Sequence, residues 1–161
     1  MLSVITGASG HLGASLIPAL LADGSRVRGV AHRNVAPCEG LDVEVVRGDV
    51  LDQASLTAAF EGADEVYHLA AVISITGDPT GAVRRVNVAG AEAAALAARE
   101  AGVRRFVHCS SIHAFDLHRD AEIVDESSPR VPDGSSRHGE YDRSKADGER
   151  RVRAVIGEGL N

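Results

Sequence analysis

Thr6-Gly7-Ala8-Ser9-Gly10-His11-Leu12-Gly13 is the stretch that decides the fold. Before it, Leu2 to Thr6 is a short β-rich run. After it, His11 to Asp23 carries Leu12, Leu16, Ala19 and Leu20 at helical spacing. A glycine-rich turn between a strand and a helix has a definite physical use. Gly7 permits the tight turn, Gly10 lets the backbone approach a pyrophosphate, and Gly13 lets helix and strand pack closely. The free N–H groups at the helix start then face the negative charge. A turn that binds nothing is the plainer alternative in a chain with 17 glycines. The strand-turn-helix setting favours binding, which makes Gly7, Ser9, Gly10, His11, Leu12 and Gly13 the candidate cradle.

The alternation begun there continues along the chain. Gly24 stops the first helix. Strand-like runs follow at Arg26 to Ala31, Val43 to Arg47, Glu65 to Leu69 and Arg105 to Cys109. Between them, Asp52 to Glu61 reads as a short helix ended by Gly62. Thr80 to Ala101 reads as a long Ala-rich helix, interrupted near Gly90 and stopped by Gly102. Asn34 to Asp42 is short for a parallel crossover and predicts an abbreviated one. Asp116 to Gly139 is polar and too long for a mere connection, which marks it as functional or disordered. Glu140 to Gly157 is the last helix. Strand-helix alternation predicts an α/β fold with a mostly parallel sheet of five strands, in one domain over residues 1–161.

Composition excludes several functions. The chain has 161 residues, 23 acidic against 17 basic, a net charge of -6, and a mean hydropathy of -0.04. An acidic balance without a basic block argues against a nucleic-acid partner. No apolar run approaches the roughly 20 residues a membrane helix needs, and the N-terminus lacks the pattern of a secretory signal. Cys38 and Cys109 cannot build a disulfide framework, so a reducing, cytoplasmic setting is expected. His113 and His118 have no acidic or Cys partner at metal spacing, and no metal site is expected. His68 and His108 sit at strand ends and read as packed residues. Asp125-Glu126 reads as a solvated loop.

One basic residue stands apart. Sixteen of the 17 basic side chains are arginines, and the sole lysine is Lys145, four residues after Tyr141. On a helix that spacing puts both side chains on one face. An ammonium beside a phenol favours phenolate, and a phenol so tuned can pass a proton to or from a substrate oxygen. Arginine is no substitute for a compact point charge that also holds a ribose hydroxyl. An ordinary exposed pair is the plain alternative for Tyr-x-x-x-Lys alone. The pattern gains weight from His108-Cys109-Ser110-Ser111, at the carboxyl end of the fifth strand, where open α/β sheets bind ligands. A Ser-His-Asp hydrolase fits worse, since no G-x-S-x-G elbow occurs.

The Gly-x-x-Gly-x-x-Gly spacing preceded by Thr6 resembles the short-chain dehydrogenase/reductase superfamily, in its extended branch. GLDVEVVRGD, YHLAA, AGVRRFVHCSSIHA and YDRSK match it in order from residue 1 to residue 161. The nearest likeness is to the epimerase/dehydratase and dihydroflavonol-reductase-like members. The resemblance implies a Rossmann-type doubly wound sheet. It gives Tyr141 the acid/base role, Lys145 its charge and the ribose contact, and Ser111 the substrate-oxygen hydrogen bond. Ser110 is the runner-up for that serine, expected nearer the nicotinamide. Asp49 and Val50 are implied at the adenine. Leu69, Ala70 and Ala71 are implied along the cofactor, with Asn87 supporting the site. An acidic residue about 20 positions past the turn would read a 2′-hydroxyl. Here Val30-Ala31-His32-Arg33-Asn34 offers the Arg33 fork, suited to a 2′-phosphate. NADP is therefore the expected cofactor, with NAD the alternative.

In that branch further strands and a substrate-binding region follow the Tyr-Lys helix. The expectation is thus a cofactor-binding portion that acts on a small-molecule substrate. Its expected partner is a second copy or a complementing C-terminal chain. A cofactor sensor or scaffold without turnover, or an inactive fragment, is the rival reading.

Overall fold

The computed structural model describes residues 1–32, 38, 40–74, 76–117 and 123–161. Five strands, β1 (Leu2–Thr6), β2 (Arg26–Ala31), β3 (Val43–Arg47), β4 (Glu65–His68) and β5 (Arg105–His108), form one sheet in the order β3-β2-β1-β4-β5. Every pairing is parallel, with Thr6 opposite Val30 on one side and His68 on the other. The chain winds outward from β1 to β3, then returns to β4 on the far side of β1. That reversal opens a crevice at the carboxyl ends of β1 and β4, the place where doubly wound sheets take ligands.

Two apolar layers hold the sheet. On one face Ile5, Ala8, Val27 and Cys38 pack against Ile17 and Leu20 of α1 (His11–Ala22). On the other, Val4, Val66 and Phe106 meet α2 (Gln53–Phe60), α4 (Ala91–Glu100) and α5 (Glu140–Gly157). Alanine dominates α4 because this layer is thin: Ala91, Ala94, Ala95, Ala97 and Ala98 are all buried.

The long helix expected over Thr80–Ala101, interrupted near Gly90, is three joined pieces, with one junction at Gly90. Gly81, at φ +69, and Asp78, whose carboxylate accepts the Val83 and Arg84 N–H groups, start α3 (Ala82–Arg84). A π-helical turn, Arg85–Gly90, follows, then α4, which Gly102 ends at φ +68. The wide turn occurs where α5 presses closest: a Cβ on Gly148 would overlap the Asn87 carbonyl oxygen. The expected crossover at 34–42 lies largely outside the described residues.

The polar stretch after β5 is anchored at its base. Phe115 and Arg130 form an antiparallel bridge, flanked by Asp116 N–H to Pro129 O (2.9 Å) and Val131 N–H to Ala114 O (2.9 Å). Val131 and Ala114 are buried with Ala146 of α5. His138, also buried, bonds Ser135 Oγ at 2.8 Å and Asp116 Oδ1 at 3.0 Å, drawing the two ends of the stretch together. On the outer edge of β5, Phe106 N–H donates to the Asn161 carbonyl at 2.8 Å. No helix among the described residues is long and apolar enough to cross a membrane.

Candidate active site and cofactor cleft

The glycine turn is built by close contacts. Gly7 lies at φ +71, and a Cβ there would come within 2.8 Å of the Ala70 nitrogen. A Cβ on Gly13 would stand 2.5 Å from the Gly7 oxygen and 2.6 Å from the Ala8 oxygen. Gly10 differs: it has extended backbone, and its Cβ would meet only the Gly7 oxygen, at 3.1 Å. So Gly7 and Gly13 serve packing, and Gly10 keeps the floor of the crevice clear. Gly10 precedes α1 with no side-chain cap, which leaves the first N–H groups of α1, beginning at His11 and Leu12, for a ligand. Thr6 earns its place before the turn. Its hydroxyl bonds His68 Nδ1 at 2.8 Å and accepts the Ala70 N–H at 3.4 Å, locking β1 to the end of β4.

Above this floor lies an open cleft of about 690 Å³, lined by Gly7, Ser9, Gly10, His32, Asp49, Val50, Leu69, Ala70, Ala71 and Arg85 among others. It collects most of the cofactor residues named from sequence into one space. His11, Leu12 and Gly13 lie outside its lining: the first two are exposed at the start of α1 and the third is buried beneath the turn. Asp49 Oδ1 accepts the Leu51 N–H at 2.9 Å, and Oδ2 lies 3.6 Å from His32 Nε2. Arg33, the proposed reader of the 2′-phosphate, lies outside the described residues. Sequence reading missed His32 and Arg85 as cleft residues, because no motif marks either.

The second group sits on α5 and the end of β5. Lys145 is buried, and its Nζ donates to the Cys109 carbonyl at 2.7 Å. Burial draws its pKa below the usual ammonium range, against the pull of Cys109 and Glu149. One turn earlier, the Tyr141 ring meets the His113 ring edge-on at 5.6 Å. Ser111 Oγ accepts the His113 N–H at 3.2 Å and so caps a 3-10 turn, Ile112–Ala114. Asn87 supports this region from below. Its Oδ1 accepts the Val72 N–H at 2.8 Å, and its Nδ2 donates to Val72 O at 2.9 Å and Ser144 Oγ at 3.0 Å.

Ser110 and Ser111 line a second cavity, of about 500 Å³, with His108, Phe115, Arg130 and Glu149. Ser110 Oγ donates to Glu149 Oε2 at 2.9 Å and is not part of the cofactor cleft. Glu149 also receives Arg130 and Arg153 at 3.0 and 2.8 Å. Burial opposes its charge, but hydrogen bonds from Arg130, Ser110 and Arg153 prevail and hold the carboxyl below its ordinary range. Arg130 further stacks on Phe115 at 3.8 Å. No local motif announces this hub, whose members are far apart in sequence.

His68 and His108 stack at 5.6 Å inside the helix-covered face. Burial, with each other's company and that of Lys145, takes His68 down to about 3. Burial and Lys145 take His108 down to about 4. Both rings are thus neutral beside the Lys145 ammonium. Among the described residues no group of His, Cys, Asp and Glu is placed to hold a metal ion. His113 does have an acidic partner, Asp142 at 2.8 Å, brought to it by the fold across 29 positions.

This arrangement has known counterparts. The crystal structure of gox2253 superposes with a TM-score of 0.86 at 30% identity, covering 99% of this chain and 48% of that one. A short-chain dehydrogenase/reductase superfamily protein from Agrobacterium tumefaciens, solved with bound NAD, superposes at 0.81 with 32% identity, covering 96% and 44%. Sterol demethylase protein B of Methylococcus capsulatus is 44% identical over 119 residues, 73% of this chain and 36% of that protein. UDP-glucose 4-epimerase of Mycolicibacterium smegmatis is 38% identical over 122 residues, 69% of this chain and 39% of that protein. The chain thus spans well under half the length of the curated relatives it matches. The profile of the NAD dependent epimerase/dehydratase family matches residues 3–161. With its sheet order, its glycine turn and this match over nearly all its length, the chain belongs to the NAD dependent epimerase/dehydratase family.

Proposed function

We propose that the chain forms the NADP-binding portion of an oxidoreductase or epimerase-type enzyme. The reaction class is hydride transfer at a carbon bearing a hydroxyl or carbonyl, the step that reductases, epimerases and dehydratases share. The observation that carries the reading is the cleft at the β1–β4 crevice, where Gly10 leaves the floor clear and Asp49, Leu69 and Ala70 line the walls. A dinucleotide fits that donor set. Its pyrophosphate would lie over Gly7, Ser9 and Gly10 against the first N–H groups of α1. Its adenine would lie at Asp49 and Val50, and its 2′-phosphate at Arg33. The nicotinamide, when bound, supplies or accepts the hydride.

The chain's own residues do the rest. Ser111 holds the substrate oxygen by a hydrogen bond. Tyr141 passes the proton to that oxygen or takes it away. Lys145, one helical turn after Tyr141 on α5, holds a ribose hydroxyl and carries the positive charge. Its burial leaves that charge poorly screened, so its field on the reacting oxygen is stronger than at the surface. Glu149 and Asn87 fix the elements on which these groups stand.

Fluorescence titration with NADPH and NADH tests the reading. Saturable binding with NADPH preferred is expected, and Arg33→Asp should weaken NADPH by about tenfold or more by removing the phosphate's charged partner. Tyr141→Phe should abolish turnover while leaving the Kd within about twofold. Absence of saturable binding by either nucleotide overturns the proposal.

A further inference from the structure

Ser111 and Tyr141 stand on different elements, the turn after β5 and the first turn of α5. Proton transfer to an oxygen held by one and protonated by the other requires their spacing to be held tightly. Ala114 packs against Ala146 of α5, and His113 beside it adds directed contacts between the two elements. Its backbone N–H donates to Ser111 Oγ at 3.2 Å, its ring Nδ1 meets Asp142 Oδ1 at 2.8 Å, and its ring lies edge-on to Tyr141 at 5.6 Å with 65° between the planes. Asp142 is itself fixed. Its other oxygen accepts the Gly139 N–H at 3.2 Å, the bond that opens α5. One carboxylate therefore starts the helix that carries Tyr141 and also grips the imidazole that follows Ser111.

Resting on the roles proposed above for Ser111 and Tyr141, we propose that His113, keyed by Asp142, is a positioning residue that sets the Ser111 turn against the Tyr141 ring. Histidine suits the task because one side chain supplies both a nitrogen for the carboxylate and a flat ring for the aromatic edge contact. Alanine supplies neither, and phenylalanine only the ring. His113 is half exposed, with 49% of its side chain open to solvent. Its replacement therefore leaves the core intact.

The test is an NMR spectrum of the full chain labelled with 13C-tyrosine, which shows only Tyr67 and Tyr141. Tyr141→Phe assigns the signals, and Tyr67, on β4, is the internal control. His113→Ala and Asp142→Ala should each remove the imidazole-induced shift of the Tyr141 ring, toward one common position, with Tyr67 unmoved. His113→Phe should keep a ring-induced shift but broaden it, because the anchor is gone. His113→Ala moves the Tyr141 signal through loss of the ring itself, so Asp142→Ala, which keeps the ring, is the discriminating variant: a role in stability alone would lower the unfolding midpoint and leave the Tyr141 signal in place. An unmoved Tyr141 signal in either alanine variant overturns the proposal. NADPH titration of the same samples separates the two claims. Loss of binding in the unmodified chain refutes the cofactor reading, while the tyrosine spectrum still reads the clasp. His113 lies outside the cofactor cleft, so its variants should hold the Kd within about twofold.

Discussion

The cofactor cleft and the Ser-Tyr-Lys side of the molecule are built by opposite means. The cleft floor is made of backbone: the glycine contacts of the Thr6–Gly13 turn, including that of Gly7 with Ala70, and the carboxyl ends of parallel strands shape it. The other side is made of side chains that cross long stretches of sequence. Asn87 reaches Val72 and Ser144, Lys145 reaches Cys109, Glu149 gathers Ser110, Arg130 and Arg153, and Asp142 takes His113. A pyrophosphate is held by many weak, similar N–H groups, for which a rigid backbone suffices. Proton transfer needs a few groups at fixed distances, for which a supporting shell is needed.

That contrast can be broken hardest at the close approach of Gly148 to the Asn87 backbone, on the side-chain half. Gly148→Ala puts a Cβ into the Asn87 carbonyl, and α5 must move off the π turn. A loss of about 3 kcal/mol is expected, at the upper end of overpacking effects, read by urea denaturation. Gly10→Ala, on the cofactor side, should change stability by less than about 0.5 kcal/mol, because its Cβ meets a single atom at 3.1 Å.

A smaller effect comes from deleting a crosslink. Asn87→Leu leaves the Val72 N–H and carbonyl without this partner, while the Ser144 hydroxyl keeps only its bond to the Tyr141 carbonyl. About 2 kcal/mol of stability should go. Tyr141 and Lys145, on the same helix turn as Ser144, should show faster amide exchange, while the α1 amides keep their protection.

The third effect appears only in acid. His68 and His108 titrate near 6.5 in the unfolded chain and at about 3 and about 4 in the fold. Between those values the unfolded chain binds more protons, so stability rises with pH and is lost as pH falls from about 6.5 towards 4. Glu149 adds to the loss at the lower end. Its folded pKa is depressed, so its contribution is present above the ordinary carboxylate value and vanishes as pH falls through the folded one. Denaturation midpoints measured from pH 7 to pH 4 should decline, and His108→Leu should flatten part of the slope.

The same contrast explains what could be read from the chain. Thr6 to Gly13, the strand-helix alternation and the sheet class were legible because each depends on neighbours in sequence. Arg85 in the cleft, the Glu149 hub and the His113–Asp142 pair were not, since their meaning arises only once β5, α5 and the π turn are packed together. Ser110 shows the limit most clearly. The resemblance implied a place nearer the nicotinamide, but the bond from its hydroxyl to Glu149, 39 positions away, could be read only from the fold. Lys145 was legible for a compositional reason: a chain that elsewhere writes arginine keeps one lysine, and the fold buries it.

The central claim is that the glycine-floored cleft binds a nicotinamide dinucleotide. Titration of the unmodified chain and of Gly10→Val with NADPH tests it most directly, because this substitution puts a branched side chain over the cleft floor. The account predicts saturable binding by the unmodified chain, weakened about tenfold or more in Gly10→Val, in a variant that still unfolds cooperatively although its Cβ stands 3.1 Å from the Gly7 oxygen. Equal affinity in the two proteins, or no binding to the unmodified chain, would contradict it.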